Sequence, residues 1–280
     1  MKITLINDDS AAALKTLPDN SIDCVVTSPP YGDLRDYNGH NLWDFKGTAR
    51  ELYRVIKKGG VVCWNVNDEV DEKGSESGES FREALYFMEI GFNLHDTMIY
   101  KKKNFSHPEK ARYHQMFEYV FILSKGRPKV FNPIKDKKNK TAGCIGTLGT
   151  NTYTERDGSK SVRPKKITAE YGMRGNVWEG KTRGQEEFCK PCKHPAMMPK
   201  WLARDLIISW SNEGDIVCDP FSGSGTTIEE GRKLNRSLIS IDIDPHWIIE
   251  QESALKLNVQ INSWLYGVKV IMNNAAEAHE

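Results

Sequence analysis

Several features are missing from this sequence, and each absence excludes a class of protein. It contains no run of about eighteen or more apolar residues, which excludes a conventional transmembrane helix. No signal-peptide pattern follows Met1. The 6 cysteines are scattered along the chain and do not resemble the framework of a secreted disulfide-bonded domain. We therefore expect a cytoplasmic protein that does not bind a membrane.

Complete metal-binding and dinucleotide-binding motifs are also missing. Cys189 and Cys192 form half of a zinc site, which His107, His114 or Cys144 could complete. A structural zinc site normally has a second, similarly spaced pair of ligands, and the sequence has none, so we predict no metal. A full G-x-G-x-x-G is absent as well, which argues against a pyrophosphate-bearing cofactor such as NAD.

The net charge of +1 conceals a strong asymmetry along the chain. Residues 101–200 contain 23 lysines and arginines against 9 acidic residues, whereas the other 180 residues contain 16 against 29. A basic segment beside an acidic body is typical of proteins that bind a polyanion. A basic surface that only faces solvent would give the same count, so the charge alone does not decide the partner.

The segment 23–31, DCVVTSPPY, is the most informative feature that is present. It predicts a short apolar strand that ends at a rigid turn, because Pro29 and Pro30 fix their φ angles and have no N–H to donate. Carbonyl acceptors, the Ser28 hydroxyl and the Tyr31 ring then lie together. These groups suit a planar molecule with an exocyclic amine, such as a nucleobase flipped out of a duplex. A proline turn that merely closes a strand is the alternative.

A second motif follows almost two hundred residues later, at 215–227, DIVCDPFSGSGTT. It predicts a buried strand, a glycine turn through which a ligand can approach the backbone, and the start of a helix. Thr226 with Glu229, or Thr227 with Glu230, fits a capping box at that start. The next predicted strand ends at Asp242, about twenty residues after the glycine turn. At this spacing, doubly wound folds place the acidic residue that binds ribose hydroxyls. A nucleoside ligand without a pyrophosphate fits both observations.

Taken together, TSPPY at 27–31 and DPFSGSGTT at 219–227 resemble the S-adenosylmethionine-dependent amino-methyltransferases of DNA. The order of the two motifs, with the catalytic turn first, is similar to that of the family's β-type members. The resemblance covers about residues 1–130 and 190–255. It implies a doubly wound α/β fold with a mostly parallel, seven-stranded sheet, and S-adenosyl-L-methionine as the cofactor.

The resemblance also implies roles for individual residues. Ser28 and the Pro29 carbonyl would accept the hydrogens of the target amino group, and Tyr31 would stack on the flipped base. The catalytic residues it implies are Ser28, Pro29, Pro30 and Tyr31. The cofactor-binding residues it implies are Asp9, Thr27, Asp219, Phe221, Gly223, Gly225 and Asp242. No cysteine follows the prolines, which argues against methylation of a cytosine ring carbon, since that reaction needs a thiolate.

The target base depends mainly on Ser28. Members of the family with Ser at this position are mostly cytosine-N4 enzymes, and those with Asp are mostly adenine-N6 enzymes. A serine hydroxyl can donate to cytosine N3 or accept from N4, but adenine offers an equivalent N1 acceptor. We therefore expect transfer to cytosine N4, with adenine N6 as the alternative. An RNA amino-methyltransferase and a catalytically silent DNA-binding protein are the more distant alternatives.

The chain divides into three predicted segments. Residues 1–125 form the catalytic half of the methyltransferase domain, and residues 191–280 form its cofactor-binding half. Between them, residues 126–190 lack a regular pattern and correspond by position to the family's target-recognition insertion, a basic flap beside the cleft. The lysines predicted to contact duplex DNA are Lys137, Lys138, Lys165 and Lys166. A homodimer and a cognate restriction endonuclease are further partners that the resemblance allows.

Overall fold

The computed structural model describes residues 1–30, 43–104, 110, 112–144, 152–162, 167–181, 197–255 and 268–272. The chain forms two compact units: Met1–Asn132 with Asn176–Glu280, here the main unit, and Pro133–Gly175, here the small unit. Segments 126–132 and 176–181 of the predicted insertion thus belong to the main unit. Tyr31, Lys165, Lys166 and the pair Cys189 and Cys192 lie outside the described residues.

Strands and helices alternate through most of the main unit. Its helices are α1 (Ser10–Lys15), α2 (Phe45–Val55), α3 (Glu79–Glu89), α4 (Lys200–Trp210), α5 (Thr226–Lys233) and α6 (Pro245–Ala254). Its strands are β1 (Lys2–Asn7), β2 (Ile22–Thr27), β3 (Ile56–Val66), β4 (Asn93–Lys102), β5 (Phe117–Ser124), β10 (Val177–Gly180), β11 (Ile216–Asp219), β12 (Ser237–Asp242) and β13 (Val268–Met272). The small unit contains β6 (Lys137–Lys138), β7 (Thr152–Thr154), β8 (Lys160–Val162) and β9 (Tyr171–Gly172).

Nine of these strands form one sheet, in the order β10-β4-β5-β3-β2-β11-β12-β1-β13. The run from β3 to β1 is parallel throughout, and β10 is parallel to β4. The strands β5 and β13 pair antiparallel with their neighbours. The predicted mostly parallel α/β fold is confirmed. The sheet has nine described strands instead of seven, because the short strands β10 and β13 extend its two edges.

Burial explains why the central strands could be predicted from the sequence. In β2, five of six residues are buried, as expected for a parallel strand that is covered on both faces. The main hydrophobic core contains Trp64 of β3, Phe87 of α3 and Leu52 of α2. Among the described helices, the longest have 11 residues, and none is long and apolar enough to cross a bilayer.

One element boundary differs from what the sequence predicts. Apolar residues at helical spacing over 48–56, followed by Lys57–Gly60, predict a helix that closes at these glycines, but Lys57–Gly60 lie in the first part of β3, and α2 ends at Val55 with an extended Ile56 as its C-cap. Gly59 has a φ of 87°, and a Cβ there would lie 2.4 Å from Lys129 Cγ, so this glycine serves a tight strand entry and not a helix cap.

Residues 126–190, which lack a regular pattern in the sequence, nevertheless contain short strands. Short antiparallel pairs occur in the small unit, where β6 pairs with β9 and β7 pairs with β8. Each of these strands has only two or three residues. Ladders of this length leave no periodic pattern in the sequence, because too few side chains alternate to reveal one.

Candidate active site

The candidate site lies where parallel strands of the main unit end. β2, β11, β12 and β1 are consecutive in the sheet, so their carboxyl ends lie at one edge. Ser28 directly follows β2, residues 220–225 follow β11, and Asp242 is the last residue of β12. Ser28 and Gly223 thus follow neighbouring strands. Open α/β sheets bind their ligands at this edge.

Asp219 connects the two sequence motifs. Thr27 Oγ1 donates to Asp219 Oδ1 at 2.6 Å, and Phe221 N donates to the same oxygen at 3.1 Å. Burial raises the pKa of the Asp219 carboxyl to about 6, while hydrogen bonds from Thr27, Thr227 and the Phe221 backbone oppose that rise. Because these donors come from β2, α5 and the residues after β11, the carboxylate fixes the end of β2 against residues 220–225, here the 220–225 loop.

The proline turn begins from this fixed strand end. Thr27 is fully buried, and the Thr227 hydroxyl, which shares its one proton between Asp219 and β2, lies 3.3 Å from the Val26 carbonyl oxygen. Ser28 and Pro30 are half-buried and Pro29 is buried. Ser28 therefore lies at the accessible end of an otherwise enclosed strand, with its backbone position set by the residue before it.

Asp242 receives backbone N–H groups at both carboxylate oxygens. Gly223 N donates to Oδ2 at 2.7 Å and Asp244 N donates to Oδ1 at 2.9 Å. Burial raises the pKa of Asp242 to about 6, against these two backbone hydrogen bonds. Each carboxylate oxygen can accept more than one hydrogen bond, so acceptor capacity remains. Asp244, two residues further along the chain, caps α6 by accepting from His246 N at 2.9 Å.

Asp9 lies at the neighbouring strand end, after β1. Its side chain is the N-cap of α1 and accepts from Ala11 N and Ala12 N through Oδ1. The next residue, Ser10, donates its hydroxyl to the Pro220 carbonyl oxygen at 2.6 Å. The start of α1 is therefore joined to the 220–225 loop.

The start of α5 differs from the predicted capping box. The N-cap of α5 is Gly225, with a φ of 81° and no side-chain cap. Thr227 is shared between Asp219 and β2 as described, Glu229 pairs with Lys200, and Lys233 pairs with Glu229 and Glu230. The T-x-x-E spacing was misleading because the left-handed glycine replaces a side-chain cap.

An aromatic cluster beside the loop was missed in the sequence. Phe221 packs edge-on against Trp43, with ring centroids 4.8 Å apart, and against Trp64 at 6.1 Å. Trp64 Nε1 donates to Glu83 Oε2 at 2.8 Å. Desolvation raises the pKa of Glu83 to about 8. These residues come from β3, α3 and the segment before α2, so only the fold brings them together.

The predicted DNA-contacting lysines that are described lie in the small unit. Lys137 and Lys138 form β6 and are exposed, opposite Gly172 and Tyr171 of β9. Within the described residues, no group of three or more histidine, cysteine or acidic side chains could hold a metal ion.

The family that matches this chain is the N6_N4_Mtase family, described as DNA methylase, over residues 22–251. The match spans both motifs and the strands between them. The chain belongs to this family. It is a DNA methyltransferase, and S-adenosyl-L-methionine is its cofactor.

Relatives of this methyltransferase agree with the assignment. It is 46% identical over 256 residues to "Orphan methyltransferase M.BamHII" of Bacillus amyloliquefaciens, a match that covers 90% of this chain and 96% of the relative. Its fold is similar to that of the PvuII DNA methyltransferase (cytosine-N4-specific), with a TM-score of 0.66, 18% identity, and coverage of 94% and 89% of the two chains. A crystal structure of an M1.HpyAVI-SAM complex has a TM-score of 0.57 and 19% identity, and covers 90% of this chain and 98% of that one.

The strand-end edge of the methyltransferase fits a nucleoside cofactor. Asp242 presents a carboxylate fixed by two backbone N–H groups, with lone pairs left for the hydroxyls of a ribose. The Gly223 N–H is already hydrogen-bonded to Asp242. Because Gly223 has no side chain, a ligand can approach the loop backbone closely at this position. The half-buried Phe221 offers an apolar ring nearby.

Proposed function

We propose that this methyltransferase transfers a methyl group to the exocyclic N4 of cytosine in duplex DNA, with the target base flipped out of the helix. The observation that carries the proposal is the position of Ser28. It directly follows a buried strand whose last residue, Thr27, is hydrogen-bonded to Asp219, beside the loop that we assign to the cofactor. Ser28 is thus the accessible polar side chain closest in sequence to that fixed contact.

The reaction that these residues must support is a direct methyl transfer, which depends mainly on the alignment of the two reacting groups. The bound cofactor supplies an electrophilic methyl group on a sulfonium centre. The lone pair of the cytosine amino nitrogen is delocalised into the ring, so the nitrogen is a poor nucleophile until acceptors draw it toward a tetrahedral geometry. The Ser28 hydroxyl and the Pro29 carbonyl accept its hydrogens and aim the lone pair. Asp242 and the 220–225 loop would hold the cofactor, which would supply the methyl group to the amino nitrogen and leave as a neutral thioether, while the methylated nitrogen would release its surplus proton to solvent.

The remaining site residues act by positioning. Asp242 accepts hydrogen bonds from the ribose hydroxyls. Gly223 and Gly225 have no side chains that would collide with the cofactor, and Phe221 covers one side of it. Asp9 lies near the adenine, while Thr27 and Asp219 fix the relation between the target base and the methyl group. Pro30 stiffens the turn, and Tyr31 stacks on the flipped base. Positioning and electrostatic stabilisation of this kind supply most of the rate gain in such a transfer.

The choice of base needs a test of its own, because the family comprises N6 and N4 methylases alike. Serine at position 28 supports cytosine N4, and adenine N6 is the second candidate. Nucleoside mass spectrometry separates them after incubation of the protein with duplex DNA and S-adenosyl-L-methionine. We expect N4-methyldeoxycytidine. Methyladenine alone would refute the cytosine assignment, and methyl transfer to RNA but not to DNA would refute the DNA proposal.

The partners follow from the same proposal. Lys137 and Lys138, with Lys165 and Lys166, contact the phosphates of the duplex. A homodimer, a cognate restriction endonuclease and a cytoplasmic location stay predictions. The 46% identical relative carries the name orphan methyltransferase, so a nuclease partner is to be sought by experiment and not assumed. Absence of methyl transfer to any DNA by a cofactor-bound protein would favour the silent DNA-binding alternative.

A further inference from the structure

Gln251 of α6 is fully buried beneath the 220–225 loop, and its amide is hydrogen-bonded at both ends. Nε2 donates to the Gly223 carbonyl oxygen at 2.7 Å and to Ser222 Oγ at 2.9 Å. Oε1 accepts from Ser240 Oγ at 2.6 Å. Ser240 is itself fully buried in β12, so the amide has one fixed orientation, with the donor group toward the loop.

Both backbone polar groups of Gly223 are consequently hydrogen-bonded to side chains. Its N–H donates to Asp242 Oδ2 at 2.7 Å, and its carbonyl oxygen accepts from Gln251. Gly223 has a φ of 45°, which belongs to neither a right-handed helix nor a strand, so secondary structure does not hold it in this conformation. Two side chains from different elements, together with the backbone hydrogen bond from Ser222 N to the Ile241 carbonyl oxygen at 3.0 Å, therefore fix the loop backbone relative to β12.

Gly225 packs closely against the same side chain. Its φ is 81°, and a Cβ added there would lie 2.7 Å from Gln251 Cγ and 3.1 Å from Cδ. The requirement for glycine at 225 thus follows from the buried glutamine as well as from the helix start. Gln251 and the glycine turn are complementary in shape.

We propose that Gln251 is a positioning residue for the cofactor, which acts by fixing Ser222 and Gly223 of the loop against Asp242. The proposal rests on the cofactor role assigned above to that loop. Gln251 does not need to touch the cofactor: without its donor, the Gly223 carbonyl is left unpaired in a buried position and the loop shifts to find another partner. That shift moves the Gly223 N–H away from Asp242 and disturbs the carboxylate that receives the ribose.

Gln251→Glu tests this, because the nearly isosteric change replaces the NH₂ donor with a carboxyl oxygen, and the uncharged Gln251→Met variant separates loss of the donor from the introduction of an ionisable group. We expect the dissociation constant for S-adenosyl-L-methionine, measured by isothermal titration calorimetry, to rise about tenfold to a hundredfold, the effect of leaving one or two buried hydrogen-bonding groups unpaired. In methylation assays the KM for the cofactor should rise similarly, while kcat at saturating cofactor and KM for DNA stay near their wild-type values. Gln251→Met, of similar length and uncharged, should give the same split.

Ile248→Ala is the matched control, since Ile248 is a buried residue of α6 without a polar group to offer the loop. It should lower the melting temperature and leave the cofactor dissociation constant unchanged. Ser240→Ala, which only frees the amide orientation, should weaken cofactor binding less, and its effect should not add to that of Gln251→Glu.

The outcomes separate the positioning role from the loop assignment on which it rests. Wild-type affinity in both Gln251 variants, or an equal loss of affinity in Ile248→Ala, would overturn the positioning role alone. Gly225→Ala forces a Cβ against Gln251 in a left-handed conformation and so alters the loop directly. If that variant bound S-adenosyl-L-methionine and transferred methyl groups as the wild type does, the cofactor role of the loop itself would be overturned.

Discussion

At the residue scale, the carboxylates of Asp219, which is buried, and Asp242, which is half-buried, both lie at strand ends, but they differ in what they face. Asp219 is bonded to Thr27, Thr227 and the Phe221 backbone, which belong to three different parts of the fold. Asp242 takes one backbone N–H at each oxygen and keeps free acceptor capacity. We infer that Asp219 organises the site and that Asp242 contacts the ligand.

Asp242→Asn tests this division, with Asp244→Asn as its control. An asparagine at 242 turns an NH₂ group toward a backbone N–H and loses the charge, so cofactor binding should weaken by about 1.5–3 kcal/mol. An asparagine at 244 remains a good N-cap for α6, so cofactor affinity should not change. Calorimetric titration of both variants measures the difference, and equal losses would mean that Asp244 shares the ligand.

The predicted site residues have a pattern in the sequence next to them, whereas the missed ones are brought together only by the fold. Ser28, Asp219 and Asp242 could be singled out because each follows or ends an apolar strand whose pattern is visible in the sequence. Trp64 and Glu83 lie on different elements, and Gln251 reaches the loop across 28 residues. Contacts of that kind exist only after the sheet has formed, so no spacing rule could have identified them.

At the scale of elements, α3 is fastened to β3 by a buried acid. Trp64 Nε1 donates to Glu83, whose pKa is raised from 4.5 to about 8 by desolvation and by the nearby charges of Glu79 and Asp68. The folded state therefore favours the protonated carboxyl. Its contribution to stability is complete below the unfolded pKa near 4.5 and is lost as the pH rises through 8.

Glu83→Gln should keep this contribution at every pH, because the amide cannot ionise and its carbonyl can still accept from Trp64. The melting temperature of the variant should exceed that of the wild type by several degrees at pH 9, and the difference should shrink as the pH falls toward 5. Differential scanning calorimetry across this range measures it. A difference that is constant with pH would show that Glu83 does not titrate in this window.

The predicted helix boundaries were wrong where glycine or threonine is compatible with two different turns. Gly59 and Gly60 follow an amphipathic helix, as a C-cap would, yet they lie within β3, which begins at Ile56. Thr226 and Thr227 precede Glu229 and Glu230 at capping-box spacing, yet Gly225 alone begins α5. In each case a left-handed glycine satisfied the backbone, and the sequence cannot state which of two competing turns a glycine will make.

At the scale of the whole molecule, charge is segregated along the chain. Residues 101–200 hold 23 of the 39 basic residues, and the small unit presents Lys137 and Lys138 on an exposed strand. A protein that neutralises phosphates releases counterions, so its affinity for DNA falls steeply with salt. The basic segment is the part of the chain best suited to that role.

Charge reversal separates DNA binding from the rest of the site. Lys137→Glu with Lys138→Glu should weaken duplex binding and lower the slope of log K against log salt by roughly 0.9 for each phosphate that the variant no longer neutralises. Cofactor affinity should stay unchanged. Lys15→Glu, an exposed lysine of α1, is the control. Fluorescence anisotropy at several salt concentrations provides the slopes, and equal slopes for all three proteins would place the DNA contacts elsewhere.

The central claim is that Ser28 acts on the target amino group and not on the cofactor. Single-turnover transfer of tritiated methyl groups to duplex DNA, by wild type and Ser28→Ala at saturating S-adenosyl-L-methionine, tests it most directly. We predict that the rate falls by about a hundredfold or more, as for removal of other groups that stabilise a transition state, with an unchanged cofactor dissociation constant. A Ser28→Ala protein that transfers at the wild-type rate, or that fails only because it no longer binds the cofactor, would contradict the account.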